Sequence, residues 1–169
     1  MSSPDEIRLS TETAELLLEA LNHSARSLLQ PVLEKIAEFL KVRRCAFFRI
    51  YAGDEVDIPA GVPEEEYNRS RREPISSHPD VAEVVKTNKV MLIDNPADSP
   101  LTAYFTGAIK EKGINEILYI PLSVNGKIFG VVVIDTAGEK KGFSEGEMNL
   151  CVETCGFLAE KFGFIFREA

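Results

Sequence analysis

Cys151 and Cys155 stand four residues apart, the spacing that puts two side chains on one face of a helix and could aim two thiolates at one metal ion. A zinc or iron–sulfur centre needs two further ligands. The third cysteine, Cys45, lies in a strand-like segment, and neither His23 nor His78 is near it in sequence. All three thiols are therefore expected to pack as small apolar residues, and no metal site is assigned. His78 precedes Pro79 at a helix start, where it either caps the helix or faces a site. Asp94-Asn95-Pro96 has the make-up of a side-chain-to-backbone turn. Tyr104, Phe105 and Tyr119 have spacings that suit a core. There is no glycine-rich phosphate loop and no Ser-His-Asp arrangement, so no catalytic residue is assigned.

The elements that must position these residues are legible from patterning. Ser10 to Thr13 offer N-cap side chains before a helix whose stripe is Ala14, Leu17, Leu21, Ser24 and Leu28. Pro31 lacks an N–H and is expected to break or kink it before a second helix through Ile36 and Leu40. "RCAFFRIY" (44–51) and "EVDI" (55–58) read as strands, and 59–74, with three prolines, a glutamate triplet and arginines, as a long mobile loop. "EPISS" suits a short strand. Helices are expected after Pro79 and Pro100, with the strand "VMLID" between them and Gly113 ending the second. "ILYIPL" and "GKIFGVVVID" pair through Asn125-Gly126, a tight-turn signal. The unbroken run "FGVVVI" implies a strand covered on both faces, hence central. Pro121 belongs near a strand end or bulge. Ser144 and Glu147 form a capping box for the last helix.

Bulk properties narrow the classes. With 19 basic and 27 acidic residues the net charge is −8, which excludes a general nucleic-acid binder. Three cysteines do not make a secreted disulfide framework, the N-terminus lacks a signal-peptide pattern, and no apolar run approaches the ~20 residues of a membrane span. A cytoplasmic placement is expected.

The order of elements, with "HPDVAEVVKTNKVMLIDNPADSP", "KGINEILYIPLSVNGKIFGVVVID" and "GFSEGEMNLCVETCGFLAEKF", resembles a GAF domain over about residues 14–166. The resemblance implies an α+β fold related to PAS and profilin-like domains. Five or six antiparallel strands would carry the terminal helices on one face, with a pocket roofed by the middle helices and loops on the other. The chain, 1–169, is then one domain: a helix through 30 that forms dimers and a core over 31–166. Cyclic-nucleotide members carry Asn-Lys at the end of the central strand, then Phe, three intervening residues, and Asp-Glu. Here Asp135-Thr136, Phe143, Glu147 and Met148 stand in those places and the lysine is missing. Bilin-binding members attach pigment through a roof cysteine, which this roof lacks. Free methionine sulfoxide reductases of this fold use roof and strand cysteines, whereas Cys151 and Cys155 lie on the terminal helix.

The resemblance therefore implies a sensory or regulatory module for an unidentified small molecule, with no cofactor assigned and no enzymatic activity. Alternatives are a ligand-free dimerisation scaffold and, behind it, a cysteine-dependent methionine sulfoxide reductase. The sheet-side wall of the pocket would come from Ala46, Phe48, Ile50, Val131 and Val133, with His78, Asp94, Tyr104 and Tyr119 nearby. A homodimer would form through Leu17, Leu21, Leu28, Leu150, Phe157 and Phe164, and an output domain in cis or in trans would receive the signal.

Overall fold

The computed structural model describes residue 23 and residues 26–52, 54–67 and 69–166, with backbone alone at 69, 70, 162 and 164–166. Expectations placed on Leu17, Leu21 and the Phe164 side chain lie outside the described residues. Helix α1 covers 26–40 and is followed by strands β1 (Arg44–Tyr51) and β2 (Glu55–Val62). Then come the one-turn helix α2 (Glu64–Tyr67), β3 (Arg69–Pro74), α3 (Pro79–Thr87), β4 (Met91–Ile93) and α4 (Thr106–Lys112). The long hairpin β5 (Ile114–Val124) and β6 (Lys127–Ala137) leads into α5 (Glu145–Phe166).

The six strands form one antiparallel sheet in the order β3-β2-β1-β6-β5-β4. β6 is central, as its apolar run requires. Its even-numbered Val132 and Ile134 join Cys45 and Phe47 of β1, and Leu118, Ile120 and Leu122 of β5, in a core against α1 and α5. Its odd-numbered Val131 turns to the other face with Ile117 and Tyr119, under Val81 and Val84 of α3 and Ile109 of α4. The period of two in a strand thus separates a helical layer from a roof layer. The hairpin closes through Asn125 and Gly126, both at positive φ (53° and 77°), the conformation that the Asn-Gly pair favours. β4 pairs with β5 only through Tyr119, so Pro121 falls where β5 has lost its outer neighbour. At α5, Ser144 Oγ accepts from the Glu147 N–H at 3.1 Å and Glu147 Oε1 from the Ser144 N–H at 2.9 Å, which is the expected capping box.

Two expectations fail. Pro31 lies inside α1 and does not end it. Leu29 and Leu33 are buried on either side of it, and the Gln30 side chain bonds both backbone groups of Gly61 on β2, at 2.7 and 3.0 Å. Ser27, whose carbonyl loses its partner, is on the exposed side with Pro31, where water can replace the bond. The second failure is the loop expected over 59–74. β2 runs on to Val62, α2 takes up 64–67 and β3 takes up 69–74. Consequently "EPISS" is not a strand of its own: β3 ends at Pro74, and Ile75–Ser77 form a 3₁₀ turn. Tertiary contacts hold the segment, since Gly61 leaves room for the Tyr67 ring to lie against β2. A Cβ at Gly61 would meet that ring at 2.3 Å.

Candidate functional site

On the roof side of the sheet a cavity of about 200 Å³ opens between β1, β5 and β6 below and α2, α3 and the 3₁₀ turn Pro100–Phe105 leading into α4 above. Its floor includes Ala46, Phe48 and Val133, and Tyr119 and Ile117 line it from β5. Ala46 pairs with Val133 across the β1–β6 ladder, so both point the same way. His78 and Tyr104 line it from the roof. Six of the nine expected wall residues therefore meet here.

The other three do not line it. Val131 and Ile50 share the correct face but lie farther along the strands, where Val131 is fully buried in the roof-side core and Ile50 packs against it. Asp94 is exposed just past the end of β4 at the sheet edge and is not among the chamber's residues. His78 takes the N-cap position of α3, yet its side chain makes no capping bond. Its Nε2 lies 2.9 Å from Glu73 Oε2 and its Nδ1 3.4 Å from the Tyr104 hydroxyl, and its ring meets Phe48 edge-on at 5.6 Å.

Two carboxylates complete the lining. Asp80, in the first turn of α3, is 3% exposed and accepts the Tyr104 hydroxyl at 2.8 Å and the Tyr119 hydroxyl at 2.5 Å, one on each oxygen. Burial, with Asp80 adding to it, pushes both tyrosines well above the ordinary phenol value, so they remain protonated donors. Asp135, near the end of β6, stands across the ladder from Arg44 at the start of β1. Arg44 Nε lies 3.5 Å from Asp135 Oδ2, while Arg44 also donates to the Tyr67 hydroxyl from Nε at 3.1 Å and Nη2 at 2.8 Å. Glu66 lies 3.6 Å from Arg44 and 3.4 Å from Lys112 of α4, which links the roof to the floor through charge.

Asp135 Oδ1 is buried and has no hydrogen-bond partner among the described residues. Burial pushes the Asp135 carboxyl from 3.8 up to about 6, against the opposing pull of Arg44 and Lys112. An unpaired buried acceptor costs about 1–3 kcal/mol, more when charged, so this atom weakens the fold. A second hollow of about 330 Å³, lined by Val56, Ile58, Arg71 and Glu73, shares Tyr67 and His78 with the first, which makes those two side chains the partition between them.

Arg44, Tyr67, Asp80 and Asp135 were not among the expected site residues. The signal for two of them was present: stepping two residues outward from Ala46 and Val133 along their strands reaches Arg44 and Asp135. Tyr67 could not be found, because its segment reads as loop. Asp80 reads as an ordinary acid in a helix's first turn.

The three thiols lie elsewhere. Cys45, Cys151 and Cys155 are buried in the core on the helical side of the sheet. Burial pushes Cys151 up to about 11, Cys155 up to about 12, and Cys45 well above its ordinary value.

No curated protein matches the chain. Solved structures do. The GAF domain of an Acinetobacter phosphoenolpyruvate-protein phosphotransferase superposes with a TM-score of 0.68 at 20% identity, covering 100% of this chain and 96% of that one. The GAF domain/HD domain protein from Geobacter sulfurreducens has a TM-score of 0.68 at 13% identity, covering 80% of this chain and 89% of the other. The type II free methionine-R-sulfoxide reductase from Thermoplasma acidophilum has a TM-score of 0.67 at 17% identity, covering 86% and 97%. At such identities these are likenesses of fold. The sequence model of the GAF domain matches residues 24–161, most of the length and the whole of the sheet with its roof, and the chain therefore belongs to the GAF domain family.

Proposed function

We propose that this domain is a regulatory module that binds a small molecule in the cavity over Ala46 and Val133 and passes its occupancy to the terminal helices. The observation that carries the reading is the cavity's construction. Buried carboxylates, tyrosine hydroxyls and an arginine are gathered on an otherwise apolar wall, the composition of a small-molecule site rather than of a packing gap. The cavity and the terminal helices lie on opposite faces of the same strands, so a shift of β1 or β6 on binding is felt directly by α1 and α5. Any such signal has the size of the ligand's affinity difference between the two arrangements.

The buried, protonated thiols give no support to a cysteine-dependent reductase. Among the described residues no helix is long and apolar enough to cross a membrane. The proposed setting is the cytoplasm, with an output domain in cis or in trans receiving the signal.

Exposed apolar residues on α1 and α5 favour a homodimer as the signalling unit. Phe39 is 63% and Phe157 60% exposed, with Leu28 and Leu150 partly so. A scaffold that dimerises without any ligand draws on the same observation, and ligand binding in the cavity is what distinguishes the two. Native mass spectrometry and thermal shift across a metabolite panel test the proposal, with Ala46→Trp filling the chamber as control. A ligand that shifts the wild type and not Ala46→Trp supports it. No bound mass and no shift across the panel would favour the scaffold.

A further inference from the structure

The charge pattern of the cavity narrows the ligand class, an inference that rests on the proposed function above. The lining holds two carboxylates, Asp80 and Asp135, against one guanidinium, Arg44, and one imidazole, His78, whose Nε2 is already paired with Glu73. Asp80 has a partner on both sides, because each of its oxygens already accepts a tyrosine hydroxyl. Asp135 is open: Oδ2 faces Arg44 at 3.5 Å, and Oδ1 has no partner. Arg44 is not free to turn toward it, since Nε and Nη2 are held by the Tyr67 hydroxyl and Nη2 also lies near Glu66. Lys112, the other cation close by, is engaged by Glu66.

The site therefore lacks a donor, and its charge balance calls for a cation. Oδ1 is shielded from water, but Asp135 lines the chamber and its terminal torsion is soft, so a partial turn brings that oxygen toward a donor seated there. Phe48, Phe105, Ile117 and Val133 give the wall an apolar part, beside the His78 ring and three tyrosines, around a volume of about 200 Å³. A dry cavity of about 150 Å³ holds a benzene ring. One ring and a short chain fit within the chamber.

We propose that the ligand is a small primary amine with one apolar ring or branched alkyl body, its ammonium donating to Asp135 Oδ1 and its body packed over Phe48 and Val133. Binding completes the one open carboxylate and relieves the charge imbalance of the lining. The titratable and charged groups around Asp135 are Arg44 on β1, Glu66 and Tyr67 on α2, Lys112 on α4 and Tyr119 on β5. Burial holds the free Asp135 near 6, so ammonium binding strengthens as pH rises through that value.

The test is calorimetric titration of the full chain with three probes of one shape: 2-phenylethylamine, 2-phenylethanol and 3-phenylpropionate. At pH 7.5 the amine is expected to bind at least tenfold tighter than the alcohol, with no detectable binding of the carboxylate. Lowering the pH from 7 to 5 should weaken the amine severalfold and leave the alcohol unchanged. Asp135→Asn should remove the amine's advantage and its pH dependence while retaining the alcohol. The wild-type ranking stands by itself if that variant fails to fold. Equal affinities for amine and alcohol, or preference for the carboxylate, would overturn the proposal. Silence from all three probes beside a hit from the metabolite panel rejects the amine class and leaves the cavity as a ligand site. Silence from both removes the ligand-binding reading as well.

Discussion

At the scale of single residues, Asp135 is the one whose placement works against the fold. It sits on a strand that is otherwise apolar on the same face, 8% exposed, with one oxygen unpartnered. Its carboxyl is held at about 6 in the folded chain, above the 3.8 of the unfolded one. Between those values the folded state therefore carries more of this proton than the unfolded state, so the Asp135 contribution to stability falls as pH rises from about 4 to 6. The full swing is roughly 3 kcal/mol. Asp135→Asn should flatten that part of the pH profile and raise stability at pH 7 by up to roughly the same amount. Urea unfolding at pH 4, 5, 6 and 7 checks it, and parallel profiles for the two proteins would show that burial of this carboxylate is not what costs stability. A buried pair elsewhere shows the contrast. Arg49 meets Asp57 through two bonds of 3.0 and 2.7 Å, and Tyr51 adds a third at 2.8 Å, so that carboxylate has a donor on each oxygen.

At the scale of elements, α2 decides whether the cavity has its side wall. It is one turn long and buries no residue fully, so its position depends on what Tyr67 touches. The ring lies on Gly61 and the hydroxyl takes two bonds from Arg44. Gly61→Ala puts a methyl 2.3 Å from the ring and must displace it. A loss of about 1–3 kcal/mol is expected, together with the partition between the two hollows. Gly107→Ala in α4, where a Cβ meets nothing within 4 Å, is the matched control and should be neutral or slightly stabilising. Equal urea midpoints for Gly61→Ala and wild type would mean that Tyr67 is not pinned as described. Gly61 also receives the Gln30 side chain from α1 on its backbone groups, so the same residue touches both a terminal helix and a cavity wall.

At the scale of the whole molecule, one sheet separates two different tasks. The helical side is a continuous apolar core from Leu29 to Leu158, and the roof side is a smaller core with a polar chamber beside it. Beyond the helical core, Val32, Phe39 and Leu150 line an apolar groove of about 210 Å³ on the outer surface of α1 and α5. A face of that kind is expected to meet a second copy. If α5 carries the proposed interface, Phe157→Asp should give a monomer in sedimentation velocity where the wild type gives a dimer, without loss of helicity. An unchanged sedimentation coefficient would remove α5 from the interface.

What the sequence determined by itself was whatever depends on neighbours in the chain: the period of two that makes β6 central, the Asn125-Gly126 turn, the Ser144–Glu147 cap, and the helix start at Pro79. Four wall residues, Ala46, Phe48, Tyr119 and Val133, followed from those elements, because alternation assigns a face to every strand position, and His78 and Tyr104 followed from the roof helix starts. Tertiary structure decided the rest. Pro31 stays helical because Leu29, Gln30 and Leu33 are held by partners far along the chain, and 64–67 forms a helical turn where Tyr67 finds Gly61 and Arg44. The Asp135–Arg44 pair exists only once β1 and β6 lie side by side, and its unpaired oxygen only once the roof has excluded water. Local propensity acts over a few residues, whereas the burial and charge that make this site arise between residues tens of positions apart.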